Sequence, residues 1–147
     1  MLCGWERERG GLGRGPDYTI AGLFGRFGSK FPMAGADILL GWSSGLLESI
    51  APARAAGLKV VVERGSTHIA DQTELLLKAH DRYGIRPAVA SPRMIERECA
   101  EYDAADMIIV PSHYAAGTFQ SRGIDPVRPM INPPGVDLSK FTPPPSI

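Results

Sequence analysis

Between residues 36 and 132, short apolar runs alternate with longer amphipathic stretches. Ile38, Leu39 and Leu40 form a brief apolar run that predicts a buried strand. It ends in Trp42, Ser43 and Ser44, whose hydroxyls suit the cap of a following helix. That helix is expected over residues 45–56, with Leu46, Leu47 and Ile50 on its apolar side and Gly57 as its stop. Pro52 inside it should kink or shorten it, because proline has no amide hydrogen and crowds the carbonyl one turn back. Val60, Val61 and Val62, set between Gly57 and a polar loop, give the clearest strand, over residues 59–63. The loop is Arg64, Gly65, Ser66, Thr67 and His68.

From Ile69 to Tyr83 the apolar positions 69, 75, 76, 79 and 83 make a helical stripe, closed by Gly84. Ser91 before Pro92 is a start signal for a helix through Met94, Ile95, Cys99 and Tyr102. Residues 107–110 read as another buried strand. Pro111 and Ser112 then repeat the turn-and-cap device for a helix ending at Gly123. Residues 127–131 make a last strand at an edge or end position, since Pro129 interrupts it. Strands and helices in this order predict an α/β fold, a mostly parallel sheet with helices on both faces. In such sheets ligands bind beyond the carboxyl ends of the strands. That nominates four loops: residues 42–44, 64–68, 111–113 and 132–135.

Composition separates the two ends from this middle. Of 147 residues, 17 are glycine and 13 proline; nine of the glycines fall in residues 1–35 and seven of the prolines in residues 126–147. We divide the chain into a poorly defined glycine-rich segment (1–35), an α/β domain (36–132) and the proline-rich start of a linker (133–147). Sixteen basic residues balance sixteen acidic ones. Zero net charge leaves no electrostatic footprint for nucleic acid, where phosphate neutralisation dominates affinity. No apolar run is long enough to span a bilayer, and the charged first fifteen residues lack the apolar core of a signal peptide, so the cytoplasm is the expected location. Ile20, Leu23, Phe24, Phe27 and Phe31 lie at helical spacing with Arg26 and Lys30 between them. This reads as a weak helix packed on the domain, with peripheral contact at the inner membrane face as the alternative.

Cys3 and Cys99 have no metal-ligand spacing; Cys99 reads as a small buried hydrophobe, and no metal is expected. The glycines at 10, 11, 13 and 15 lack the register, the preceding strand and the lysine of a phosphate-binding loop. His68, between the best strand and the best helix, suits either a general base or hydrogen-bond donor to a sugar or phosphate, or a residue that satisfies local backbone. Arg64 suits an anionic ligand group or a salt bridge with Glu63 or a neighbour. His80 reads as a surface residue. Glu96, Glu98, Glu101 and Asp103, interleaved with Arg93 and Arg97, read as a solvated helix face, with acid/base work by paired carboxylates as the alternative.

Residues 36–142 resemble the N-terminal, acceptor-side domain of glycosyltransferase family 4, enzymes of the GT-B architecture. The likeness rests on Ala36 to Leu39, Val60 to His68, Glu101 to Asp106 followed by Met107 to Ser112, and Pro134 to Asp137 with Phe141. It implies one Rossmann-like lobe of a transferase that moves a sugar from a nucleotide-sugar donor to the hydroxyl of a glycan or lipid-linked acceptor. No cofactor is implied beyond that co-substrate. By position, His68 would lie nearest the transferring sugar, tentatively catalytic. Trp42, Ser43, Arg64, Gly65, Ser66 and Ser112 would contact the acceptor, and Gly135 and Asp137 would lie at the crossing to a second domain. The family's usual donor-side pair of glutamates seven residues apart is missing. The expectation is therefore an acceptor half, inactive alone, whether a fragment of a gene, a truncated sequence or a split subunit whose donor domain is carried on a second polypeptide. A non-catalytic α/β module binding a sugar or an anionic metabolite is the alternative.

Overall fold

A computed structural model describes residues 16–84, 87–137 and 140–141. The glycines at 10–15, Cys3 and the prolines at 143–145 lie outside the described residues. The elements run α1 (Pro16–Gly28), β1 (Ile38–Trp42), α2 (Leu47–Ala55), β2 (Lys59–Glu63), α3 (Ile69–Asp81), α4 (Pro92–Ala104), β3 (Met107–Val110), α5 (His113–Ser121) and β4 (Pro129–Ile131). The four strands form one sheet in the order β1-β2-β3-β4, every neighbouring pair parallel. The chain is an α/β, Rossmann-like lobe.

Burial across the sheet is lopsided. Val60, Val62, Ile108 and Val110 are fully or almost fully buried, in one core with Ile50, Ala53, Ile95, Tyr102, Ala115 and Phe119 from α2, α4 and α5. Register puts Ile38, Leu40 and Trp42 beside Lys59, Val61 and Glu63, and Val61 beside Met107, on the opposite face. There Ile38, Leu40, Trp42, Met107 and Met130 are exposed. Among the described residues, helices cover one face of the sheet and not both. Successive right-handed crossovers that step the same way across a sheet leave their helices on one side of it. The expected burial of β1 is corrected for the same reason: it is an edge strand with an exposed face.

Local start signals survive where the cap partner is local. Ser91 Oγ accepts from the Met94 amide at 3.3 Å, and Ser112 Oγ accepts from the Ala115 amide at 3.2 Å. The predicted serine cap of α2 does not form: Leu46 sits at that position, and no side chain of the segment itself caps it. The Glu101 carboxylate of α4 supplies the cap instead, accepting from Ser44 N at 2.5 Å, Leu46 N at 2.9 Å and Leu47 N at 2.9 Å. Ser44 takes a left-handed φ of 76° to present its amide in this way. The helix is shorter than the sequence pattern suggests, starting at Leu47, and carries Pro52 within it.

α1 forms, and the glycines expected to weaken it are its docking surface. Ala21 and Gly25 are buried. Arg97 Nη2 donates to the Ala21 carbonyl at 3.3 Å, and Ser49 Oγ to the Gly25 carbonyl at 3.3 Å. The aromatic stripe points away: Ile20, Leu23, Phe24, Phe27 and Phe31 are all more than 60% exposed.

Candidate functional site

Residues from all four nominated loops converge at the carboxyl ends of the strands. They bound an open cleft of about 500 Å³ lined by Trp42, Glu63, Arg64, Gly65, Ile109, Val110, Pro111 and residues 132–135. β1 places Trp42 and β2 places Glu63 as direct register partners on the uncovered face. The indole lies against the backbone of the next loop, since a Cβ at Gly65 would stand 3.0 Å from Trp42 Cζ3. A side chain there would push the ring away. β3 contributes the wall at Ile109 to Pro111, and the turn after β4 contributes Asn132 to Gly135.

Arg64 lines the cleft but is committed elsewhere. Its Nε donates to the Thr67 carbonyl at 3.1 Å, Nη1 to Ser43 Oγ at 3.3 Å and Glu98 Oε2 at 2.9 Å, and Nη2 to Gln72 Oε1. Four of its five N–H groups are thus engaged within the protein. Its salt bridge runs to Glu98 and not to Glu63. Bidentate capture of an anion would have to break this set, so the guanidinium positions the loop. The Glu63 carboxylate has no hydrogen-bond or ion-pair partner among the described residues. With Arg64 neutralised by Glu98, Glu63 leaves the cleft with one net negative charge.

His68 lies outside the cleft lining and is 2% exposed. The residue expected nearest a transferring sugar is thus one that does not border this cleft. Its Nδ1 accepts from the Ala70 amide at 3.2 Å, capping α3, while its own amide donates to Thr118 Oγ1 at 2.9 Å. The ring packs between Tyr102 and Phe119, with centroids 5.1 and 5.2 Å away. Burial pushes its pKa down to about 4, against the opposing pull of the Asp71 carboxylate. At neutral pH it is an uncharged core residue that satisfies local backbone.

The other expected residues divide. Ser43 holds Arg64, and its amide donates to the Glu63 carbonyl at 2.9 Å. Gly65 and Gly135 line the cleft. Ser66 lies in the loop behind it and Ser112 caps α5, both outside the lining. Asp137 is exposed, with Lys140 Nζ at 3.5 Å. Cys99 is buried as expected, its Sγ 3.9 Å from His68 Nε2. Among the described residues, no group of three His, Cys, Asp or Glu side chains could hold a metal ion.

The acidic run on α4 departs furthest from the sequence reading. Glu96 and Asp103 are exposed, but Glu98, Glu101 and Arg97 are buried, so a solvated face is the wrong description for these three. Glu98 accepts from Arg64 and from the Tyr102 hydroxyl at 2.5 Å. Burial first, then the Glu98 carboxylate, hold the Tyr102 phenol well above its ordinary pKa. Arg97 donates from Nε to the Ser44 carbonyl at 2.7 Å and grips Glu48 through both Nη atoms at 2.8 and 2.5 Å. That grip holds the Glu48 carboxyl below its usual range. Burial raises the Glu101 pKa, opposed by the three amides it caps. One helix therefore fixes the loops after β1 and β2, both of which border the cleft.

Fold and cleft together define a Rossmann-like α/β lobe with a ligand-sized opening at the carboxyl edge of its sheet. No protein-family model, curated protein or solved structure matches the chain.

Proposed function

We propose that this chain is the acceptor-side lobe of a GT-B glycosyltransferase resembling family 4. It would bind a glycan or lipid-linked acceptor and act in sugar transfer from a nucleotide-sugar donor when joined to a donor-binding domain. The observation that carries this reading is the convergence of the four loops on one cleft at the carboxyl edge of a parallel sheet, the position where such folds bind ligands. Support also comes from its chemistry: the exposed indole of Trp42 is an apolar ring of the kind that packs on a sugar, and Glu63 and Asn132 offer hydrogen-bonding groups in the same lining. The lobe supplies binding and orientation, which convert an encounter between two substrates into a positioned reaction. The stabilisation of charge on the leaving diphosphate falls to the donor-side domain.

The alternative, a non-catalytic module for a sugar or an anionic metabolite, divides on the same geometry. Its anionic half is disfavoured, because Arg64 is committed and Glu63 repels anions. We place the protein in the cytoplasm, with peripheral attachment to the inner membrane face through the exposed Ile20, Leu23, Phe24 and Phe27 flanked by Arg26 and Lys30. Failure to co-sediment with anionic vesicles would remove that attachment. No described helix is long and apolar enough to cross a membrane. The transferase reading is tested by calorimetric titration with mono- and disaccharides against uridine and guanosine diphosphates. Saccharide binding that Trp42→Ala abolishes, with no nucleotide binding, is expected. Nucleotide binding that depends on Trp42 would overturn the acceptor-side assignment.

A further inference from the structure

We propose that the cleft selects a ligand bearing a primary ammonium group, which the Glu63 carboxylate and the Trp42 indole receive together. On the reading above this is an amine-bearing sugar, so the inference rests on the sugar-binding assignment and narrows it. Three observations carry it. First, Trp42 and Glu63 are register partners on neighbouring strands, so their side chains leave the same face of the sheet side by side, about 5 Å apart at the backbone. Both line the cleft. Second, the Glu63 carboxylate has no cation and no hydrogen-bond donor among the described residues. The nearest candidate in sequence, Arg64, is held by Glu98, Ser43, Thr67 and Gln72. Third, Glu63 and Arg64 are the two titratable residues of the lining, and with Arg64 neutralised the local charge is negative.

A carboxylate beside an aromatic face complements an organic ammonium in two ways. The carboxylate accepts up to three donors from the –NH₃⁺ group in charge-assisted hydrogen bonds, roughly twice as strong as neutral ones. The indole face attracts the same cation through its quadrupole, most strongly of the aromatic side chains. A hydroxyl in the same place gains only the neutral hydrogen bond. A carboxylate or phosphate is repelled. Gly65 leaves room for this ring: a Cβ there would stand 3.0 Å from Trp42 Cζ3, so the indole rests against a loop that carries no side chain at that point.

The experiment titrates the intact chain with three rings of one size and differing charge: glucosamine, glucose and glucuronate. Binding is read by calorimetry, with Trp42→Phe identifying the site. Glucosamine is expected to bind about tenfold tighter than glucose, and glucuronate weaker than both. Glu63→Gln, which keeps the shape of the side chain and removes its charge, should bring glucosamine and glucose to equal affinity. Raising the salt from 0.05 to 0.5 M should erode the glucosamine preference, screening being stronger at higher ionic strength. Equal binding of glucosamine and glucose, unchanged by Glu63→Gln, would overturn the ammonium inference and leave the sugar site standing. Absence of binding by all three rings would overturn the sugar-site reading and the inference with it, and tighter binding of glucuronate would overturn the charge assignment alone.

Discussion

Glu101 is fully buried on α4, yet its carboxylate closes the open start of α2, more than fifty residues away in sequence. Truncating it strands three backbone amides and removes one of the two carboxylates that face the buried Arg97, at 4.0 Å from its Nε. Glu101→Ala should therefore cost about 3–5 kcal/mol, the scale of breaking a buried charge network. Glu96→Ala, one turn away on the exposed side, should stay within about 0.5 kcal/mol. Urea unfolding of the two variants separates them, and equal small effects would return both residues to a solvated face. His68 carries a pH dependence of definite sign. Its pKa falls from 6.5 to about 4 on folding, so the unfolded chain binds the proton first. That stability is complete above about pH 6.5 and is lost as the pH falls towards 4, by about 3 kcal/mol in all. Glu101, with its raised pKa, works in the opposite direction, so the clean readout is the difference from His68→Asn, which keeps a capping oxygen. The wild type should lose stability relative to His68→Asn between pH 6.5 and 5; parallel pH profiles would contradict a neutral buried imidazole.

What was legible in the residues tracks the range of the interaction. Ser91 and Ser112 cap helices three residues ahead, and both caps are visible in sequence because both partners are local. Ser43 and Ser44 carry the same local signal, but a carboxylate from α4 outcompetes them. Burial of Glu98, Arg97 and Glu101 was hidden for the same reason: each is satisfied by loops distant in sequence, and spacing along α4 does not reveal it. Of the partners the sequence offers Arg64, an anionic ligand, Glu63 or another neighbour, the structure takes Glu98. Alternation along a strand could have removed Glu63 from that set, since neighbours at 63 and 64 face opposite ways.

At the scale of elements, α1 docks by what its glycines lack. A Cβ on Gly25 would fall 2.0 Å from Glu48 Oε2 and 3.0 Å from Arg97 Nη2, and the two side chains hold one another in place. At Gly22 the closest atom is 3.8 Å away, ordinary contact. Helix propensity alone favours alanine at both positions by about 1 kcal/mol. Gly22→Ala should accordingly stabilise the protein by about 0.5–1 kcal/mol, whereas Gly25→Ala should destabilise it and speed amide exchange across α1. A stabilising Gly25→Ala would show that α1 does not rest on the Arg97–Glu48 pair. The sequence stripe of Ile20, Leu23, Phe24 and Phe27 marked the helix correctly and its buried side wrongly. Large apolar residues signal a face, and small ones signal a close approach that only the partner helix reveals.

At the scale of the molecule, the parallel strand type followed from short apolar runs separated by amphipathic stretches, and all four strands overlap the positions the pattern sets, the last one shorter, at Pro129–Ile131. Coverage of the sheet did not, because the same apolar alternation suits a strand covered on one face or on two. A pair of substitutions measures the asymmetry. Ile108→Ala, on the covered face, should cost about 2–5 kcal/mol. Leu40→Thr, on the face where Leu40 is 55% exposed, should change stability by about 0.5 kcal/mol or less. Comparable losses would mean that both faces are packed. The same asymmetry sets the cleft, since Trp42 and Glu63 belong to the uncovered side and reach its rim without a helix above them.

The central claim is that the four loops at the carboxyl edge form one sugar-binding cleft and that His68 stands behind it. Amide and indole shifts from ¹H–¹⁵N NMR, followed while glucosamine is titrated into the chain, test this residue by residue. The account predicts saturable shifts at Trp42, Gly65, Asn132 and Gly135, with the amides of α3 from Glu74 to Asp81 unmoved. Saturable shifts confined to other regions, such as Leu40, Met107 and Met130 in the middle of the bare sheet, would contradict it.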